Sequence, residues 1–161
     1  MILLQEFNNK YHLNIKDTKI KEIDISWKEL GNERLKELDK INFNKLEELN
    51  LNDNKISDIN ILEKVNFKEL KILYLCNNKI SDIKVLEKVK FEKLEIINLM
   101  NNKISNIDIL EKVSFTELKE LSLSYNNISN INILEKVKFE KLEKLGLTGN
   151  KIDLAKIIQL Y

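Results

Sequence analysis

The chain contains few residues whose types and spacing could support catalysis. His12 is the only histidine and Cys76 the only cysteine among 161 residues, so a thiol–histidine pair would need these two residues to meet. Neighbouring acids such as Glu47 and Glu48 point to opposite faces of a strand. With three glycines and one cysteine, the chain lacks a glycine-rich phosphate loop and a metal motif built on cysteine pairs. The sequence therefore predicts no enzymatic activity, no metal site and no cofactor.

Asparagine is the polar residue whose spacing is regular. Asn54, Asn78, Asn102, Asn126 and Asn150 follow one another every 24 residues, without insertion or deletion. A side-chain amide carries a donor and an acceptor, so it can satisfy backbone groups left unpaired where a chain turns inside a structure. Five amides in one register predict a structural asparagine ladder. The alternative is a set of turn-forming asparagines on the surface.

These asparagines belong to a 24-residue repeat whose copies start at Leu46, Leu70, Leu94, Leu118 and Leu142. In the copy at residues 70–93, Leu73 and Leu75 alternate with outward positions, which is the period of a strand with one buried face. The segment that follows has apolar residues every three or four positions, as in a short helix or 3₁₀ segment. A single copy cannot bury its leucines, so the copies must stack as a solenoid.

Residues at two further positions of the repeat support the prediction of a helical return segment. Asp58, Asp82, Asn106 and Asn130 precede it and are good N-cap residues. Phe67, Phe91, Phe115 and Phe139 follow it, and we expect their rings to close the core on the side away from the strands.

The pattern LxxLxLxxNxIxxIxxL, with NKISDI at residues 54–59 and 78–83, resembles the leucine-rich repeats of the protein phosphatase 1 regulatory subunit and of bacterial internalins. The resemblance covers residues 20–160. It implies an α/β fold, a right-handed horseshoe-shaped solenoid with a parallel concave sheet and short convex helices or 3₁₀ segments. It also implies protein–protein recognition on the concave sheet without catalysis.

We divide the chain by this repeat. Residues 1–19 are expected to form an N-terminal cap that includes His12, and residues 20–45 a divergent first repeat with Lys28 at the ladder position. Four full repeats follow at 46–69, 70–93, 94–117 and 118–141, and a terminal partial repeat at 142–161 ends in a return helix near residues 151–160.

The first repeat contains a pattern of its own. Residues 26–29 read as a capping box, which predicts a helix starting there. Trp27 is expected to pack in the core at the cap, and the alternative is a ligand anchor at the edge of the concave face.

Composition excludes some partners. Basic and acidic residues number 27 and 26, and Arg34 is the only arginine, whereas nucleic-acid binders usually show a basic face with arginines. No stretch is long and apolar enough to span a membrane, and the N-terminus does not resemble a signal peptide. With a single cysteine, the sequence favours a reducing, cytoplasmic location.

The outward strand positions differ between copies, whereas the LEKV motif of the return segment does not change. Apolar residues cluster at these positions in the central copies, which is typical of a protein-binding patch. The predicted contact residues are Ile72, Tyr74, Cys76, Ile96, Asn98, Met100, Asn101, Ser122 and Tyr125.

The sequence therefore favours a module that binds an unidentified protein or peptide partner on its concave sheet. We expect a monomer, although end-to-end self-association is possible. Three alternatives stay open: drift of exposed positions, a structural or self-assembling segment of a longer repeat protein, and a regulatory subunit of an enzyme such as a phosphatase.

Overall fold

The computed structural model describes residues 2–153, and within that range six short strands form one parallel sheet in the order of the sequence. The strands are β1 Glu22–Asp24, β2 Glu48–Asn50, β3 Ile72–Tyr74, β4 Ile96–Asn98, β5 Glu120–Ser122 and β6 Lys144–Gly146. In each pair of neighbouring strands, every residue lies opposite the equivalent residue of the next repeat, as Leu49 lies opposite Leu73. The 24-residue spacing thus sets the register of the sheet.

Short helical segments return the chain from each strand to the next. The first repeat uses the helix α2 Gly31–Leu35 followed by a 3₁₀ segment, Lys36–Lys40. The later repeats use single 3₁₀ turns, which are Asn60–Glu63, Lys84–Glu87, Asp108–Glu111 and Asn132–Glu135. The predicted α/β solenoid, with a parallel sheet on one side and short helical segments on the other, is confirmed.

The predicted N-cap residues lie one position earlier in the chain than a conventional N-cap. Ile83 directly precedes the 3₁₀ segment Lys84–Glu87 and makes no side-chain cap bond. Instead the Asp82 carboxylate accepts the backbone N–H of Lys84 at 2.8 Å. Equivalent bonds are made by Asp58, Asn106 and Asn130. The side chain closes a turn two residues ahead, which starts the segment without being its cap.

The core runs as a continuous column behind the sheet. The inward strand residues Leu73 and Leu75 are fully buried, as are their equivalents in the neighbouring repeats. The Phe67 and Phe91 rings stack with centroids 6.4 Å apart, and Phe115 is also buried. Phe139 is only partly buried but packs against the same core.

The helix α1 Ile2–Tyr11 packs against the first repeat. Phe7 and Tyr11 are buried, and the Phe7 ring lies 5.6 Å from that of Phe43. The Tyr11 hydroxyl donates a hydrogen bond to the Arg34 carbonyl, and burial raises the pKa of Tyr11 to about 12. Helix α1 thus covers apolar surface of the first repeat. In the described part of the chain, no helix has the length and hydropathy needed to cross a membrane.

Two predictions for residues 26–29, a helix that starts there and a Trp27 packed in the core, are wrong. Helix α2 begins at Gly31, and Trp27 lies in the preceding turn with its side chain 74% exposed. The reason is the repeat itself: the Asn54 amide oxygen accepts the N–H groups of Lys28 and Leu30, both at 3.1 Å. This stretch therefore forms a turn held by the ladder, in which Glu29 is a second residue of positive φ, and the local capping pattern does not nucleate a helix.

The helix expected near residues 151–160 lies mostly outside the described residues. The boundaries of the cap, of the divergent repeat and of the later repeats stay predictions.

Charged residues alternate in two columns where the strands begin. One column runs Lys21, Glu47, Lys71, Glu95, Lys119, Glu143, and the other runs Lys45, Glu69, Lys93, Glu117, Lys141. Several oppositely charged neighbours form ion pairs across repeats, as Glu69 does with Lys93 at 2.6 Å and Glu117 with Lys141 at 2.6 Å. From Lys45 onward, acid and base in each column therefore repeat every 48 residues rather than every 24.

Candidate binding surface on the concave sheet

The outward residues of the strands form two parallel columns on the sheet, and we call this surface the concave face. The first column reads Glu22, Glu48, Ile72, Ile96, Glu120, Lys144, and the second reads Asp24, Asn50, Tyr74, Asn98, Ser122, Gly146. Neighbouring strands lie about 4.8 Å apart, so adjacent members of a column are in contact range.

Four residues make an apolar centre on this face: Ile72, Tyr74, Ile96 and Met100. Ile72 lies opposite Ile96 in the register of β3 and β4, and Tyr74 lies opposite Asn98. All four side chains are partly exposed rather than fully exposed. Neighbours in a column shield one another on a sheet, so the centre is a half-buried apolar strip open to solvent on one side.

Cys76 does not belong to that strip, and the expectation that it is exposed is wrong. Its side chain is only 6% exposed. The Asn52 amide oxygen accepts the Cys76 N–H at 2.6 Å from the preceding repeat. Burial raises the pKa of the Cys76 thiol, which disfavours the reactive thiolate.

The polar residues beside the centre also hold the backbone. The Asn98 amide oxygen accepts the Met100 N–H at 3.1 Å, and Asn50 does the same for Asn52 at 3.0 Å. In β3 the equivalent residue is Tyr74, which cannot make this bond, and Asn52 supplies it instead. Because the Asn98 oxygen is already engaged, a partner can hydrogen-bond mainly to the side-chain N–H groups of Asn98. The neighbouring Ser122 is partly exposed at the equivalent position of β5.

A rim of residues in the left-handed backbone conformation borders the concave face. The rim residues are Trp27, Asp53, Asn77, Asn101, Tyr125 and Gly149, with φ between +54° and +74°. Asn101 donates its amide to Asn77 at 2.8 Å, and Asn77 donates to Asp53 at 2.9 Å. Tyr125 is 57% exposed and leans over Gly149, where an added Cβ would meet its ring at 2.5 Å.

Sequence reasoning placed Asn101 and Tyr125 near the binding surface but missed the shared backbone conformation of the rim. Asparagine, aspartate and glycine at one repeat position are the signal for it, because these residues tolerate a positive φ.

The two ends of the concave face differ in charge. Glu22, Asp24 and Glu48 lie at the β1 end, where burial, followed by the charges of Glu22 and Asp24, raises the pKa of Glu48. At the β6 end Glu120 forms an ion pair with Lys144. Residues 2–153 hold no group of three or more histidine, cysteine, aspartate or glutamate side chains arranged to bind a metal. The three acids at the β1 end therefore place negative charge on the concave face beside its apolar centre.

The asparagine column lies behind this surface and is buried, apart from Asn150, which is partly buried. The Asn78 side-chain nitrogen donates to the carbonyl of Leu51 at 3.0 Å and to that of Leu75 at 3.1 Å. Its oxygen accepts the N–H of Ile56 at 3.1 Å. Asn54, Asn102, Asn126 and Asn150 bridge consecutive repeats in the same way. These amides hold the strand ends in place and so fix the concave face.

Comparisons with known proteins identify the repeat. A family model described as leucine-rich repeats, in two copies, matches residues 44–88, 68–112 and 116–158. No curated protein matches the chain.

Solved structures share the fold. An internalin from Listeria monocytogenes is 28% identical with a TM-score of 0.61, over 73% of this chain and 32% of its own. A leucine-rich-repeat protein from Leptospira interrogans is also 28% identical, with a TM-score of 0.59 over 73% of this chain and 29% of its own. The plant peptide hormone receptor RGFR1 is 22% identical, with a TM-score of 0.54 over 69% of this chain and 18% of its own. That likeness shows the fold alone.

The chain matches a third or less of the length of these proteins. The family model, however, spans most of the chain, and its matches follow the repeat seen in the sheet. The chain therefore belongs to the leucine-rich repeat family.

Proposed function

We propose that the chain binds a protein or peptide partner on its concave face, with the apolar centre as the anchor. Leucine-rich repeat proteins are binding modules, and one protein of the same fold, the receptor RGFR1, is known in complex with RGF2. Membership of the family implies binding in general, whereas we assign the binding to one face and to particular residues.

The observation that carries the proposal is the contrast between scaffold and surface. The inward leucines, the ladder asparagines and the LEKV motif hardly change between copies, whereas the outward strand positions do. In the first column these positions are apolar in β3 and β4, at the middle of the sheet, and charged on either side, and Tyr74 adds an aromatic ring in the second column. An apolar patch with a polar border, central on a rigid surface, has the anatomy of a protein interface.

The chain itself supplies substitutions for a test. Asn50 and Asn98 occupy the position of Tyr74 in the flanking strands, and Asn52 occupies that of Met100 in the first full repeat. Tyr74→Asn and Met100→Asn should therefore keep the fold, as checked by circular dichroism. Because central anchors dominate interfaces, each should weaken partner binding by roughly 2 kcal/mol, about 30-fold.

The measurement is capture of partners from a lysate of the source organism, followed by affinities for the captured protein. Lys64→Ala and Lys112→Ala change exposed residues on the opposite side and should bind like the wild type. Normal folding with unchanged binding in Tyr74→Asn and Met100→Asn would move the site off the concave face. The exposed Trp27 would then be the next residue to test.

A further inference from the structure

We propose that the partner binds through an extended segment in which a lysine or arginine follows or precedes an apolar side chain by about two to four residues. The apolar side chain covers Ile72 and Ile96, and the cationic group lies among Glu22, Asp24 and Glu48. This inference rests on the proposed function, because it takes the concave face to be the binding surface.

The first support is the arrangement of the three acids. Glu22 lies opposite Glu48 in the register of β1 and β2, and Asp24 lies one step along the same face of β1. Strands are about 4.8 Å apart, and like charges directly opposite on neighbouring strands destabilise a sheet. Burial and the two neighbouring carboxylates raise the pKa of Glu48. The free protein thus carries an unfavourable concentration of negative charge at this end of the face.

The second support is that glutamates immediately before two of the strands are neutralised by lysines. Glu47 pairs with Lys21 at 2.6 Å and with Lys71 at 2.7 Å, and Glu95 pairs with Lys119 at 2.6 Å. In contrast, within residues 2–153 no lysine or arginine forms an ion pair with Glu22, Asp24 or Glu48. The nearby Lys21 is engaged with Glu47 at the start of the strands. Among the described residues, these three acids are therefore left to a cationic group of a partner.

The third support is distance. Glu48 lies directly opposite Ile72, and Ile72 directly opposite Ile96. The middle of the Glu22–Glu48 pair is thus two strand spacings, about 10 Å, from the middle of the isoleucine pair. An extended peptide rises about 3.3 Å per residue, which gives the spacing of two to four residues once the length of a lysine side chain is allowed for. One short segment can therefore satisfy both the acids and the apolar centre, which a free cation cannot do.

The experiment is selection of short random peptides, displayed on phage, against the full chain. Selection is repeated on the double variant Glu22→Gln/Glu48→Gln and on the control Glu87→Gln/Glu111→Gln, whose glutamates are exposed on the opposite side. A third variant, Ile72→Thr/Ile96→Thr, keeps β-branched residues in the strands but removes the apolar pair. Selected peptides are then synthesised, and their affinities are measured by fluorescence anisotropy at several salt concentrations.

The wild type and the Glu87→Gln/Glu111→Gln control should select peptides with a basic residue two to four positions from an apolar one. Those peptides should bind Glu22→Gln/Glu48→Gln about tenfold more weakly, and their wild-type affinity should fall with added salt. The melting temperature of this variant should be unchanged or higher than that of the wild type, since it removes repulsion. A loss of binding therefore cannot be attributed to unfolding.

Two other results are informative. If the wild type and the Glu22→Gln/Glu48→Gln variant select the same apolar peptides without basic residues, the inference is wrong while concave binding stands. If selected peptides bind Ile72→Thr/Ile96→Thr as well as they bind the wild type, the proposed function itself is wrong.

Discussion

At the residue scale, the ladder amides each perform two tasks. The Asn102 oxygen accepts the Ile80 N–H of the preceding repeat at 3.0 Å. Its nitrogen donates to the Leu75 carbonyl of that repeat at 2.9 Å and to the Leu99 carbonyl of its own at 3.1 Å. The Leu75 carbonyl also accepts from Asn78 and the Leu99 carbonyl from Asn126, so consecutive ladder amides share carbonyl groups and substitute for secondary structure at the strand ends.

We expect Asn102→Ala to lower the free energy of unfolding by about 1–3 kcal/mol, because it leaves the buried Ile80 N–H without its acceptor. Asn150→Ala should cost less, since Asn150 is only partly buried and water can replace its amide. Urea unfolding of both variants is the measurement. Equal stability of wild type and Asn102→Ala would contradict the structural role of the ladder.

The rim leads to a prediction of the opposite sign. Trp27 has φ of +57°, where a bulky residue is strained, and most of its side chain is exposed. Asparagine adopts this conformation more readily, as at Asn77 and Asn101. Trp27→Asn should therefore raise the free energy of unfolding by roughly 1 kcal/mol.

The measurement is thermal and urea unfolding followed by circular dichroism. The converse change Asn77→Trp should destabilise, because it adds strain and also removes the bond to Asp53. A destabilised Trp27→Asn would mean that the indole makes contacts that outweigh the strain.

Most inward residues could be predicted from the sequence, because burial on a repeating strand follows directly from alternation. Leu73 and Leu75 illustrate this. Cys76 and Trp27 could not, because their exposure depends on the backbone path after the strand. At Cys76 the chain has turned inward and is held by Asn52, and at Trp27 it is left-handed. Neither property is encoded by the period of apolar residues.

At the scale of the elements, the start of β2 is held by an ionic bridge. Glu47 accepts bonds from Lys21 and Lys71, one in each neighbouring repeat. These bonds lower the pKa of Glu47 to about 2. The bridge therefore spans three consecutive repeats through a single carboxylate.

This bridge predicts a pH dependence. Because the folded-state pKa of Glu47 lies below its unfolded value of 4.5, its contribution is complete above pH 4.5 and is lost as the pH falls towards about 2. We expect Glu47→Gln to be less stable than the wild type at pH 7 and the difference to shrink across that window. Urea unfolding between pH 7 and pH 2 checks this.

Added salt should also reduce the difference, since the three side chains are partly exposed. Glu87→Gln, which changes an exposed glutamate without an ion pair among the described residues, is the control. A difference between wild type and Glu47→Gln that is constant with pH would contradict the assignment.

The strands and the 3₁₀ segments followed from the sequence because one period recurs along the chain. Local signals were less reliable where they conflicted with it. The capping box at residues 26–29 is a local pattern, and the bonds from Asn54 to Lys28 and Leu30 override it. The acidic end of the concave face was also missed, because Glu22, Asp24 and Glu48 come together only through the register of β1 and β2.

At the scale of the whole molecule, each strand contacts only its neighbours, and the sheet order follows the sequence. Stability in such a stack depends on the interfaces between repeats. With inward leucines buried throughout β2 to β5, the described repeats should unfold together.

We therefore expect Leu75→Ala, in the middle of the stack, to cost about 2–5 kcal/mol by leaving a cavity. The whole transition should shift to lower urea concentration and keep its slope. Fluorescence of Trp27, which lies near the N-terminal end, and circular dichroism should report the same midpoint. Separate midpoints for the two signals would show that the stack divides into independent parts.

The alternating charges at the strand starts bear on how such an array can change its length. Removing one copy, for example residues 70–93, would bring Glu47 beside Glu95 in the first column and Glu69 beside Glu117 in the second. Removing two copies would leave every acid beside a base. A change in length therefore keeps the alternation of charge only when it adds or deletes 48 residues or a multiple of 48, so the pair of repeats is the unit by which this solenoid can grow or shrink without placing like charges side by side.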